Sequence, residues 1–232
     1  MVVSIILMAL GLVAMSFFIY GKVTHYSTKT IMLKIIASLL FVSLEVYLFF
    51  YKEFPNVGIY IIVGAALGLL GDIALGLKRV IKSKDKLLTL LGFVFFALGH
   101  IIYVVGLFVN YYLDGHFLVI LIPILCALLF GASVFLFEKM LKLSLGKFRF
   151  IAMTYLIVLG LLSASGLSLC ILYEFKNTFL IVFFVGGVLF AISDGILSRT
   201  YFGKNPQTIE LILSSVFYYL AQFIICFSLF FL

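Results

Sequence analysis

Eight times along its length the chain runs through about twenty apolar residues with hardly a charge, enough for an α-helix to cross a bilayer at about 1.5 Å per residue. Cut where charges, Asn, Gly or Pro interrupt them, the runs are approximately Val2–Tyr20, Leu33–Tyr51, Val57–Leu77, Leu87–Val109, His116–Phe137, Phe148–Tyr173, Thr178–Leu197 and Thr208–Phe231. They are far longer than the roughly ten residues of a barrel strand, so a closed barrel drops out and helices remain. No polar stretch between them is long enough to build a soluble domain. Composition agrees: 11% of residues are charged and mean hydropathy is +1.35, whereas a soluble domain carries about 25% charged residues. The predicted fold class is all-α, a bundle of eight transmembrane helices forming one domain over residues 1–232. The first run has no Lys or Arg ahead of it and no small-residue cleavage site, so it is read as a span and not as a signal peptide.

The net charge of +7 raises the question of a nucleic-acid partner, but the basic residues sit in short segments between apolar runs, where they set orientation. Lys22, Lys29 and Lys34 flank the first loop, and Lys78, Arg79, Lys82, Lys84 and Lys86 the third. Lys139, Lys142, Lys147 and Arg149 flank the fifth, and Arg199 and Lys204 the seventh, which accounts for 14 of the 16 basic residues. The positive-inside bias then predicts a multi-pass protein of the cell membrane with the odd loops in the cytoplasm and both termini outside. The partners expected are the bilayer and a lipid, and nucleic acid is excluded. Cys126, Cys170 and Cys226 fall inside apolar runs, odd in number and without paired spacing, and are read as small buried residues with neither disulfide nor metal role.

An ionised side chain inside a span costs roughly 2.5–3.5 kcal/mol on insertion scales, so an intramembrane carboxylate is a functional candidate by default. Asp72 precedes Lys78 by six residues and Asp194 precedes Arg199 by five, which puts them about 9 Å and about 7.5 Å from the same side on parallel third and seventh spans. Gly64, Gly68, Asp72 and Gly76 recur every four residues with Gly71 beside them, and Gly187, Ala191, Asp194, Gly195 and Ser198 give the second aspartate a similar small-residue face. Such faces admit a neighbouring helix, so both carboxyls are expected in the bundle interior, able to form a dyad if the faces meet. The blander reading makes each aspartate an interhelical hydrogen-bonding residue. Their shared third place in each half hints at a parallel repeat of four spans.

Phe96, His100 and Tyr103 share a helical face, but His25 and His116 lie at opposite span ends, so three or four convergent zinc ligands are not available. Glu210, Ser214, Tyr218 and Gln222 form a polar stripe at spacing four, which in lipid must line the interior. Lys34, Ser38 and Glu45 do so more sparsely. Glu210 and Lys34 are read as snorkelling interface residues, and Glu45 as a pairing residue ranked below the aspartates.

Taken in order, Gly71-Asp72, then Gly92-Phe93-Val94-Phe95-Phe96-Ala97-Leu98-Gly99-His100-Ile101-Ile102-Tyr103, then Leu189-Phe190-Ala191-Ile192-Ser193-Asp194, then Tyr218-Tyr219-Leu220-Ala221-Gln222 resembles the YhhN-like family of membrane lysoplasmalogenases. The order and spacing match from the second span to the end. Where that family often has Lys-Pro entering an early span, this chain has Lys34-Ile35. The resemblance implies an eight-helix hydrolase that cleaves the vinyl ether bond of lysoplasmalogen, a lysophospholipid, to a fatty aldehyde and glycerophospho-ethanolamine or glycerophospho-choline. It implies Asp72 and Asp194 as catalytic residues, with His100, Tyr103, Ser193, Tyr218 and Gln222 supporting them or binding substrate. Vinyl ethers hydrolyse by protonation of the β-carbon and capture of the oxocarbenium ion by water. Two carboxyls close together in an apolar site cannot both ionise, so one serves as acid while its partner stabilises the cation and activates water, with neither metal nor organic cofactor required. The basic ends are available to the lipid phosphate.

Two rivals lack their signatures. An intramembrane aspartyl protease sets its aspartates in Tyr-Asp and Gly-x-Gly-Asp contexts, absent here, and a zinc-dependent lipid amidase needs several membrane histidines. A small proton-coupled transporter using the aspartates as relays stays open as the alternative.

Overall fold

In a bilayer every backbone N–H and C=O must find a partner within the segment, and the polar residues at span ends extend several helices beyond the apolar runs. The computed structural model describes residues 2–205 and 207–232. Its helices are α1 (Val2–Thr24), α2 (Thr28–Tyr51), α3 (Asn56–Leu77), α4 (Asp85–Tyr111), α5 (Leu118–Ala132), α6 (Val134–Met140), α7 (Arg149–Leu172), α8 (Thr178–Phe202) and α9 (Thr208–Ser228). Thr30 Oγ1 accepts from the Ser27 N–H at 3.2 Å, starting α2 five residues ahead of the apolar run. Asn177 Oδ1 accepts from Leu180 N–H at the start of α8 (3.2 Å), and Glu210 Oε2 from Gln207 N–H at the start of α9 (3.0 Å). Among the described residues eight helical segments are long and apolar enough to cross a membrane, α5 and α6 together making one. That span was expected to be continuous. It breaks at Ser133, whose hydroxyl turns back to the Phe130 carbonyl, a local bond that competes with the helical ladder.

The first four spans and the last four pack by the same rule. α1 lies on α2 and α5 on α7; α2 lies on α3 and α7 on α8; α3 lies on α4 and α8 on α9; and α4 crosses to α7 as α9 crosses to α2. The turns repeat as well. Glu53-Phe54 after α2 and Glu174-Phe175 after α7, 121 residues on, both take left-handed backbone angles, with φ between 50° and 62°. In each turn the Phe N–H donates to the carbonyl five residues back, Phe54 to Phe49 at 3.0 Å and Phe175 to Cys170 at 2.8 Å. The parallel relation hinted at by the two aspartates therefore extends to the connections. It fails at one place: α1 packs on α9, whereas α5 makes no comparable contact with α4.

α9 and α3 are the central helices, with 56% and 50% of their spans buried against 22% for α1 and for α5–α6. Leu, Ile and Phe cover the outward faces of the peripheral helices, as lipid contact requires. Cys170 and Cys226 are buried as expected, but Cys126 is exposed, because it points outward from peripheral α5. At the end of the bundle rich in Lys and Arg, the α6–α7 connection folds over α8: Ser144 N–H donates to Phe202 O (2.8 Å), Leu143 pairs with Gly203, and Leu145 is buried.

Candidate functional site

Asp72 is buried near the basic end of α3, and both its oxygens are occupied. Lys34 Nζ of α2 lies 2.8 Å from Oδ1. Ser38, one turn further on, donates to Oδ2 at 2.5 Å, and the Tyr218 hydroxyl of α9 donates to the same oxygen at 2.6 Å. Gln222 Nε2 donates in turn to Tyr218 O–H at 3.3 Å. Three helices thus converge on one carboxyl. Lys34 is not the snorkelling residue expected. The early start of α2 places it a turn and a half inside the helix, and its side chain is only 13% exposed. Glu210 likewise does not reach freely for the interface; it is paired with Arg199 at 2.5 Å.

Asp194 of α8 has a different neighbour. Tyr155 of α7 donates its hydroxyl to Oδ2; among the described residues Oδ1 accepts no hydrogen bond, and the residue is half-buried. Tyr155 stands 121 residues after Lys34, so corresponding places in the two halves put a lysine on one aspartate and a tyrosine on the other. Both aspartates line one cavity of about 250 Å³. The small-residue face around Asp194 was expected to admit a packed helix. Gly187 does meet Leu162 and Ser163, but a Cβ on Gly195 would meet nothing within 4 Å. That part of the face borders the cavity.

The remaining expected residues separate into two groups. Ser193 and Tyr218 line the cavity with the aspartates, and Ser193 donates to the Ser214 carbonyl at 2.9 Å, fixing α8 to α9. Gln222 reaches the site through Tyr218. His100 and Tyr103 are buried behind the cavity lining: the His100 ring is 4.4 Å from that of Phe190 and 6.2 Å from those of Tyr103 and Tyr155. Both ring nitrogens of His100, Tyr103 O–H, Gln222 Oε1 and Glu45 Oε2 are buried without a partner among the described residues, the situation in which internal waters are found. Glu45 pairs within the bundle, accepting from Cys226 Sγ at 3.0 Å. Among the described residues no three of His, Cys, Asp and Glu converge as metal ligands.

The glycines of α3 make this arrangement possible. A Cβ on Gly64 would stand 2.3 Å from the Tyr103 ring, one on Gly71 2.8 Å from Phe96, and one on Gly68 3.0 Å from Gln222 Nε2. The face carrying Asp72 is a set of sockets for side chains of α4 and α9. The sequence profile of the YhhN family matches residues 24–229, from the end of α1 to the end of α9. The chain belongs to the YhhN family. No curated protein and no solved structure matches it.

In this YhhN protein, several cavity residues escape a reading of the sequence. Lys22 and Arg79 read as orientation charges, yet both line the cavity, as do Tyr26 and Tyr201. Tyr155 lies in an apolar run with nothing to mark it except its distance from Lys34. Tyr26, between α1 and α2, donates to Gly76 O at 3.4 Å; burial pushes its phenol above the ordinary tyrosine value while the Arg79 guanidinium acts in the opposite sense. Lys78, just past α3, stands 3.9 Å over the Tyr201 ring, and burial pulls its ammonium below the usual lysine value.

Proposed function

We propose that this YhhN-family protein is a membrane hydrolase of the lysoplasmalogenase type, and that the cavity between Asp72 and Asp194 is its active site. The observation that carries the reading is that two unlike carboxyls line one cavity: Asp72 ion-paired to Lys34, Asp194 hydrogen-bonded to Tyr155 through one oxygen only. In the proposed reaction Asp194 gives its proton to the β-carbon of the vinyl ether, and the electron pair of the double bond forms the new C–H bond. The resulting oxocarbenium ion faces the charge of Asp72, which Lys34, Ser38 and Tyr218 hold in place. Water adds to the α-carbon and returns a proton to Asp194. The hemiacetal then collapses: its hydroxyl proton passes to the glycerol oxygen as that C–O bond breaks, releasing aldehyde and glycerophospholipid head. No step draws on redox chemistry. The basic end of the bundle is assigned to the cytoplasm, with both termini outside.

The test is release of aldehyde from lysoplasmalogen by purified, monodisperse protein in detergent. Asp72→Asn and Asp194→Asn should each lose 10²–10⁴-fold in turnover, and the double variant should be scarcely worse than either single, because residues acting as a unit do not add. A variant retaining more than about a tenth of wild-type turnover would remove that residue from the mechanism. A second reading, a small proton-coupled transporter, draws on the buried atoms of His100, Tyr103, Gln222 and Glu45 that have no hydrogen-bond partner among the described residues, Gln222 being the one joined to Tyr218. A transporter releases no aldehyde in detergent and acts only across a sealed membrane.

A further inference from the structure

Three cations from three places in the fold line the cavity: Lys22 of α1, Lys34 of α2, and Arg79 just beyond α3. Lys34 has Asp72. Lys22 Nζ donates to two neutral acceptors, Ser215 Oγ at 2.6 Å and Leu211 O at 3.1 Å. The Arg79 guanidinium makes no hydrogen bond or ion pair among the described residues and lies 4.8 Å over the Tyr26 ring. Of the other carboxylates of this end, Asp85 is paired with Lys78 at 3.8 Å, Glu138 with Arg149 at 2.7 Å and Glu210 with Arg199, while Asp194 is hydrogen-bonded to Tyr155 and to neither Lys22 nor Arg79. An ammonium has three donors and a guanidinium five, so among the described residues one donor of Lys22 and all five of Arg79 have no acceptor. Cations drawn into an apolar setting without an anion are costly, and a phosphate, with several strong acceptor oxygens, satisfies both.

The opposite wall, Phe130, Val134, Phe137, Leu141 and Leu156, is apolar, so the anion this cavity suits is one joined to a hydrocarbon chain. Arg79 follows Asp72 by seven residues, five of them on α3 and two just past its end, about 10 Å of chain at helical rise, and both line the same cavity. With the reach of an arginine side chain, that separation suits a glycerol backbone between a phosphate and a bond held at the two aspartates. We propose that Lys22 and Arg79 form the site that binds the phosphate of a single-chain phospholipid. The anion site stands on its own geometry; its ligand being the substrate's phosphate rests on the hydrolase reading.

Binding, measured apart from turnover, tests the proposal. The probes are a 1-acyl lysophosphatidylethanolamine, which has no vinyl ether to cleave, a monoacylglycerol with the same chain, and inorganic phosphate, each titrated calorimetrically into protein in maltoside detergent. The lysophospholipid is expected to bind at least tenfold more tightly than the monoacylglycerol. Lys22→Gln and Arg79→Gln should each remove about tenfold or more of that advantage, the worth of a lost charge-assisted contact, with monoacylglycerol affinity unchanged as evidence of folding. Lys84→Gln, an exposed lysine at the same end, should change nothing. Equal affinity of the wild type for the two lipids overturns the proposal even if a variant fails to fold, as does full retention of the advantage in both glutamine variants. Inorganic phosphate binding as tightly as the lysophospholipid would assign the site to free phosphate and overturn the lipid assignment. Phosphate-dependent binding without aldehyde release would leave the anion site standing and remove the hydrolase reading alone.

Discussion

Asp72 and Asp194 differ less in depth than in company. A lysine side chain 13% exposed against an aspartate 2% exposed is a nearly buried ion pair, and such a pair is worth most when one half is taken away: the abandoned charge costs about 3–5 kcal/mol. Lys34→Met is therefore expected to lower the thermal unfolding temperature in detergent markedly. Adding Asp72→Asn to it should restore much of the loss, since the two changes share one interaction and do not add. A single Lys34→Met variant as stable as wild type would mean that Ser38 and Tyr218 alone satisfy the carboxyl. This pair also marks where sequence reading stopped. The aspartates stood out because a carboxylate inside a span demands an explanation. Lys34 sat close enough to the end of an apolar run to be assigned to the interface, and only the Thr30 cap, which starts the helix earlier, carries it inward. Tyr155 could not be singled out, since a tyrosine in an apolar run has an ordinary place in any bundle.

At the scale of elements, small residues tell how near a neighbour can come without telling what the neighbour is. Gly99 of α4 faces the backbone of α3, where an added Cβ would lie 2.8 Å from the Gly64 carbonyl oxygen. No side chain can turn away to relieve that contact, so Gly99→Ala should force α3 and α4 apart at a cost of about 1–3 kcal/mol. Gly195→Ala, facing empty space, should not destabilise and gains up to about 1 kcal/mol of helix propensity. Thermal unfolding of the two variants side by side checks the contrast, and equal effects would mean that the α3–α4 contact yields easily. The glycine pattern of α3 was legible as a packing face, while the similar pattern of α8 pointed to the same thing and in part borders a cavity. The break in the fifth span lay beyond reach for a related reason: Gly131-Ala132-Ser133 is compatible with a helix, and a single back-bonding hydroxyl ends it.

At the scale of the whole molecule, the repeat was faint in the helices and plain in two turns. Lipid accepts Leu, Ile, Val and Phe almost interchangeably, so related spans keep little common sequence, whereas Glu53-Phe54 and Glu174-Phe175 hold left-handed backbone angles that constrain the chain. A parallel repeat of four spans returns the chain to the same side after each half, so corresponding loops should carry like charge. They do: 14 of 16 basic residues flank odd loops. The repeat puts corresponding loops on one side, and the positive-inside bias predicts which side that is: the Lys78–Lys86 loop in the cytoplasm and the 112–117 connection outside. Single cysteines at Ser83 and Asp114, both exposed and at opposite ends, provide the test in a background with Cys126, Cys170 and Cys226 changed to Ala. In intact cells a membrane-impermeant maleimide should label Asp114→Cys and leave Ser83→Cys untouched until lysis. The reverse pattern would place the cavity, with Lys22 and Arg79 at its basic end, on the outer face of the membrane, and the phosphate site would then draw its lipid from the outer leaflet.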